Sequence, residues 1–289
     1  MSTKSIKQIL PAQKVNMGGH ILDQPLPVKG LQYADPFLLI HHWNDTLPPN
    51  QNQKDIGVGP HPHRGFSPVT FIYKGDIVHR DSMGNQAKLE NGGTQWMFAG
   101  AGITHSERHS KSLAKNGGDL EFIQFWVNAP ADKKMSPPSY LPISKEETPL
   151  YTEDGIEIAV VAGAYKEVKG VAPTQSPQSL LRVEIKANTS HLFEIPESYT
   201  TLIYLLDGEL QINNSEVAKA KDLLVMNQDG SDFSITAKQD TRFIILSGEP
   251  LNEPMLSHGP FVMNNETQLM QAMRDAQMGK MGVLIEEFE

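Results

Sequence analysis

Gly59-Pro60-His61-Pro62-His63-Arg64-Gly65-Phe66 sets two imidazoles two residues apart, and further on Gly102-Ile103-Thr104-His105-Ser106-Glu107-Arg108 sets an imidazole and a carboxylate at the same spacing. Residues at i and i+2 point to nearly opposite sides of a helix but share one face of a strand. Two antiparallel strands inside a barrel can therefore aim His61, His63, His105 and Glu107 at one point. Three imidazoles and one carboxylate leave one or two positions open on a six-coordinate metal. That set suits iron, manganese, nickel or copper better than a closed structural zinc site. Each pair alone has a plainer explanation. A lone His-x-His in a Gly/Pro-rich segment is more often a solvated loop, and a lone His-x-Glu says less still. Their joint occurrence, with strand-like sequence between them, is what points to a metal.

Outward from these motifs the texture stays that of a β-protein: short runs of Val, Ile, Leu, Phe and Tyr punctuated by Gly, Pro, Asn and Asp. Val69 to Tyr73 precedes Lys74-Gly75-Asp76, and Phe122 to Val127 precedes Asn128. A second group comprises Leu181 to Ile185, Thr201 to Leu206, Glu209 to Ile212, Leu223 to Met226 and Phe243 to Leu246. Between the groups, the polar stretch from Asn128 to Thr152, with Ser136-Pro137-Pro138, reads as a connection. Two domains are expected, residues 1–135 with the metal and residues 136–289 without it. Phe71-Ile72-Tyr73-Lys74-Gly75 and Tyr204-Leu205-Leu206-Asp207-Gly208 share one theme, an apolar strand entering a glycine turn, which hints at two copies of one barrel. One helix is predicted, from Glu266 to Met278. Asn264 or Asn265 caps it, Leu269, Met270, Met273 and Ala276 recur at helical spacing, and Gly279 suits the position after its end.

The chain has 289 residues and no cysteine. That excludes disulfides, thiol catalysis and Cys-ligated zinc, so a metal must be held by imidazole and carboxylate. Formal net charge is -9, which gives no global electrostatic reason to bind nucleic-acid phosphates. No segment reads as a signal peptide or a membrane span, and the expected location is the cytoplasm, or the nucleus in a eukaryote. Of the other histidines, His79 reads as a hydrogen-bonded structural residue near a hairpin. His41 and His42 read as packing residues, with a place at the metal pocket as the alternative, and His109 as a second layer or surface. His20, His191 and His258 have no partner at ligand spacing. The second half has no His-x-His and no His-x-Glu, and its strands from Thr201 to Ile212 and Leu223 to Met226 carry no histidine, so it reads as metal-free.

Several segments together resemble the pirin family. They are Asp35-Pro36-Phe37-Leu38-Leu39, His61-Pro62-His63-Arg64-Gly65-Phe66, Gln95-Trp96-Met97 through His105-Ser106-Glu107, Gln124-Phe125-Trp126-Val127-Asn128 and Gly259-Pro260-Phe261-Val262-Met263-Asn264. The resemblance implies an all-β bicupin, two stacked β-barrels, with a metal only in the N-terminal one. It implies His61, His63, His105 and Glu107 as ligands, commonly to iron. It also implies two functions, a flavonol-cleaving dioxygenase of the quercetinase type or a redox-sensitive regulator that binds other proteins. Two departures stand out: Ser67-Pro68 replaces a glutamate usual after His-x-His, and Ile40-His41-His42-Trp43 replaces an acidic-aromatic segment.

In the enzyme function a flat aromatic substrate and dioxygen meet at a divalent metal, with carbon monoxide released. Iron is the first expectation, and manganese, nickel, copper or zinc are the alternatives. Glu107 is then the catalytic base, because a carboxylate can swing off a metal and imidazole cannot. Phe66, Trp96, Phe98 and Ile103 are candidates for an apolar pocket wall, although strand alternation sends some of them to the opposite face.

Overall fold

The computed structural model describes residues 2–288. The chain forms two compact units, each discontinuous in sequence. One contains the residues up to His42 with Glu146–Leu251, the other Trp43–Lys145 with the stretch from Asn252 onward. The chain passes from the first to the second within the strand Phe37–Leu47.

In the first unit seven antiparallel strands run in the order Ile6–Pro11, Asp222–Met226, Thr200–Asp207, Thr241–Gly248, Gln178–Ile185, Ile156–Ala162 and Leu150–Glu153. A second sheet has the order Ser190–Glu194, Asp232–Ala237, Glu209–Ile212 and Glu216–Lys219. Side chains from both sheets fill the space between them: Ile203, Leu205, Phe243 and Ile245 from one, Phe193, Phe233 and Ile235 from the other. Phe193 and Phe233 stack at 5.4 Å. Such an interior is apolar, the ordinary product of period-2 strands packed face to face.

The histidine-bearing unit repeats that plan. Ser139–Ile143, Thr94–Phe98, Phe66–Lys74 and Gly118–Asn128 lie side by side in one sheet, and Gly57–His63, Ile103–Arg108, Asp76–Asp81 and Gln86–Glu90 form the other. The Pro-rich connection is thus not a free linker. It supplies the edge strand Ser139–Ile143, where Pro142 is tolerated because an edge strand has an unpaired side. The shared glycine turn is real in both units: Gly75 and Gly208 have positive φ, and a Cβ at Gly208 would clash with Thr241 Oγ1.

The C-terminal helix spans Glu266–Gln277, with the Asn265 side chain accepting from the Gln268 N–H and Gly279 in a left-handed conformation just past its end. It packs in the histidine-bearing unit, where Ala272, Leu269, Met273 and Ala276 join Phe261, Met263 and Met281. Met270, expected on the apolar side, is 51 % exposed, and the fully buried Ala272 takes its place. A short helix, Lys111–Asn116, has no counterpart in the sequence expectation; Ser110 caps it by accepting from the Leu113 N–H.

Candidate metal centre

His61 and His63 lie on the strand Gly57–His63, and His105 and Glu107 on Ile103–Arg108. The strands pair antiparallel with His105 opposite His61, and a register shift between His105 and Glu107 sets Glu107 opposite Val58. The two strands thus pair in the expected antiparallel direction. Ligand nitrogens of His61, His63 and His105 all lie within 4.8 Å of one another. Ring centroids are 4.3 Å apart for His61–His105, 4.7 Å for His61–His63 and 5.0 Å for His63–His105. His63 and His105 are buried and His61 is half-buried.

The hydrogen bonds behind these rings decide which nitrogen faces the cluster. His61 Nδ1 lies 2.8 Å from the Gly59 carbonyl, and His63 Nδ1 3.4 Å from that of Pro260. A carbonyl only accepts, so each Nδ1 carries a hydrogen, and Nε2 is the nitrogen each ring has left for a metal. His105 Nε2 is buried with no hydrogen-bond partner. An orphaned buried nitrogen at the meeting point of three imidazoles is what a bound cation would explain. Burial, and then repulsion from His61, hold both His63 and His105 well below the usual histidine range. Both rings are therefore neutral at pH 7, the form that binds a metal. The residues fit a divalent cation.

The cluster of ligand atoms comprises the three imidazoles and does not include Glu107, which follows His105 by two residues on the same strand and is partly exposed. Its carboxylate is fixed by Gln124, whose Nε2 donates to Oε1 and Oε2 at 3.1 and 2.9 Å, and it accepts weakly from Thr70 Oγ1 at 3.4 Å. Gln124 and Thr70 face each other across the paired strands Gly118–Asn128 and Phe66–Lys74. Neither stands out as functional in the sequence. The available signal was period 2: Gln124 is a polar residue inside an apolar strand, two positions from Trp126.

The aromatic wall differs from the expectation. Phe66 lies 5.1 Å from His63, and Trp126 lies 5.5 Å from His63 and 4.3 Å from Phe66. Trp96 pairs with Val69, whereas Gln95 pairs with Thr70. Alternation thus sends Trp96, and Phe98 two residues on, to the face opposite the one that carries Thr70. Ile103 shares a face with His105 and packs against Met97, Ala99 and Tyr140.

The remaining histidines fall into place one by one. His79 is hydrogen-bonded, at 3.0 Å to Asp81, but it also approaches His105, Nδ1 to Nδ1 at 3.5 Å. His109 is buried with Nδ1 donating to the Asp76 carbonyl. His41 and His42 belong to the other unit, where they meet Gln24 and Tyr204. His191 bonds to Tyr165 and Glu153.

Comparison with known proteins places the chain. It matches the Pirin family over residues 19–127 and the Pirin C-terminal cupin domain over residues 180–282. A Pseudomonas aeruginosa protein provisionally named quercetin 2,3-dioxygenase is 34 % identical, with 92 % of this chain and 95 % of that one aligned. Human pirin is 32 % identical, covering 87 % of this chain and 84 % of its own. A crystal structure of quercetin 2,3-dioxygenase from Acinetobacter baumannii superposes at a TM-score of 0.92, with 36 % identity over 98 % of this chain and 100 % of its own.

Proposed function

The chain belongs to the pirin family and has its bicupin fold, and from that premise we propose that it is a metal-dependent dioxygenase of the quercetin 2,3-dioxygenase type, with His61, His63, His105 and Glu107 holding one divalent cation, iron before manganese, nickel, copper or zinc. The observation that carries this is the cluster of three imidazoles, with Nε2 of His105 buried without a partner. The names of the aligned relatives favour a flavonol and dioxygen as substrates.

When bound, the metal supplies open coordination positions and the means of engaging dioxygen. The chain's own residues do the rest. His61, His63 and His105 serve as ligands. Glu107 is the group able to take a proton, from the flavonol 3-hydroxyl onto Oε1 or Oε2, with Gln124 fixing the carboxylate. Phe66 and Trp126 form an apolar wall beside His63 against which a flat ring can stack. The half-buried His61 and partly exposed Glu107 mark the open side by which such a ring enters.

The test follows loss of flavonol absorbance and release of carbon monoxide in protein reconstituted separately with iron, manganese, nickel and copper. Glu107→Gln should lower turnover more than it lowers metal occupancy, and His61→Ala should abolish both together. No turnover with any of the four, in protein shown to hold metal, would replace the enzyme with a metal-holding binding protein.

A further inference from the structure

We propose that Asp81 and His79 are positioning residues: they fix the tautomer of His105 and through it set how tightly the centre holds a divalent metal, an inference that rests on the metal centre proposed above.

The sheet register puts the three residues together. The strand Asp76–Asp81 pairs with Ile103–Arg108 so that Asp81 lies opposite His105 and His79 opposite Glu107. Paired residues share a face, so all four project into the interior of the unit. Asp81 is an ionised acceptor: burial pushes its carboxyl up, but hydrogen bonds from His79 and Asn85 outweigh that and hold it below the usual carboxylate range. It lies 3.0 Å from His79 Nε2, which must therefore carry a hydrogen. In the tautomer that directs Nε2–H at Asp81, the ring presents Nδ1 as a lone pair, 3.5 Å from Nδ1 of His105. Two facing lone pairs repel. His105 Nδ1 therefore holds the hydrogen and donates it to His79, and His105 Nε2 is left bare, in the form that a metal requires. Carboxylate, imidazole and imidazole line up with every hydrogen pointing away from the cluster.

The surroundings hold this chain in place. His79 and Asp81 are buried, the Tyr140 ring stacks on His79 at 3.7 Å and 4°, and Asp81 also accepts from Asn85 Nδ2 and from the N–H groups of Met83 and Asn85. An apolar pair would fill the same interior positions without burying a charge. His61 and His63, by contrast, are backed by backbone carbonyls, so His105 alone of the three has an ionised carboxylate behind it. That makes it the most electron-rich of the three donors. Its support is the one that side-chain substitution can remove.

The full-length protein with Zn²⁺ as probe tests this. His79→Phe keeps a flat ring against Tyr140 but can neither accept from His105 nor donate to Asp81. His79→Gln keeps both, through Oε1 and Nε2. Chelator competition should show zinc affinity about 10–100-fold weaker in His79→Phe, with His79→Gln restoring affinity towards wild type. Nitrogen-15 spectra of the zinc-loaded wild type should show His79 protonated at Nε2 and His105 at Nδ1. Equal zinc affinity in His79→Phe and wild type, or a hydrogen on Nε2 of His105, overturns the proposal; should the Phe variant fail to fold, the tautomer pattern decides alone. Wild-type protein that takes up no zinc refutes the metal centre itself and the relay with it, an outcome distinct from tight binding that His79 does not influence.

Discussion

Met281→Ala should loosen the part of the molecule that carries His105. Met281 is 2 % exposed and packs with Phe261, Met263 and Ala272. The substitution removes about three methylene equivalents, worth ~2 kcal/mol of transfer free energy at ~0.8 kcal/mol each. A cavity adds to that unless the neighbours collapse into it. They have little freedom to do so: a Cβ built on Gly102 would lie 2.5 Å from Met281 Cγ, so backbone packs directly on the side chain. The cost should therefore reach about 3–4 kcal/mol, within the ~2–5 kcal/mol span of buried Met-to-Ala changes. At roughly 2–4 °C per kcal/mol for a chain of this size, the melting temperature should fall by about 6–15 °C. The Met281 carbonyl also accepts from Ser82 Oγ and Thr104 Oγ1, at 3.1 and 3.3 Å, and Thr104 adjoins His105. Metal release should accelerate in the same variant. Differential scanning calorimetry with a parallel chelator chase measures both. A melting temperature within about 2 °C of wild type, the least that ~1 kcal/mol would produce, would mean that the C-terminal stretch is an appendage rather than part of the cooperative unit.

Two further outcomes are expected. Burial pulls His41 from 6.5 down to about 4, so the folded state keeps this ring neutral while the unfolded chain takes up a proton first as pH falls. Its contribution is complete above pH 6.5 and lost between there and about pH 4. Wild type should therefore lose about 2 kcal/mol more than His41→Gln between about pH 7 and 5, at ~1.36 kcal/mol for each pH unit below the unfolded value; equal losses in urea titrations would sink the assignment. In the same unit, where Ile203, Leu205, Phe243 and Ile245 occupy the interior, anomalous scattering from metal-soaked crystals should reveal no ion among residues 179–248, and an ion there would refute the metal-free assignment.

How much of this was legible in the sequence differs from element to element. The cluster of three histidines was readable because strand geometry has a period of two and both motifs sit on strands. The strands around Ile72, Phe125, Leu181 and Phe243 were readable for the same reason, being apolar runs closed by glycine, aspartate or asparagine. The capped helix at Glu266 was readable from Asn265 and Gly279. Sheet partners were not, because pairing depends on contacts far apart in sequence. Nothing in Ile6–Pro11 announces that it lies beside Asp222–Met226. Likewise, only register shows that Gln124 faces Thr70 and that Trp96 faces away. His79 looked structural, and it is hydrogen-bonded as a structural residue would be. Its second nitrogen meets His105 because two strands align Asp81 with His105, a fact that exists only in the folded sheet.

The most direct measurement is the metal content of purified wild-type protein and of His63→Ala, determined by elemental analysis on folded, quantified chains. His63 contributes one of the three imidazoles at the cluster, so its removal discards a large share of the binding free energy. One metal per wild-type chain and near-complete loss in His63→Ala is the predicted result. Full occupancy in the variant would contradict the centre assigned to His61, His63, His105 and Glu107.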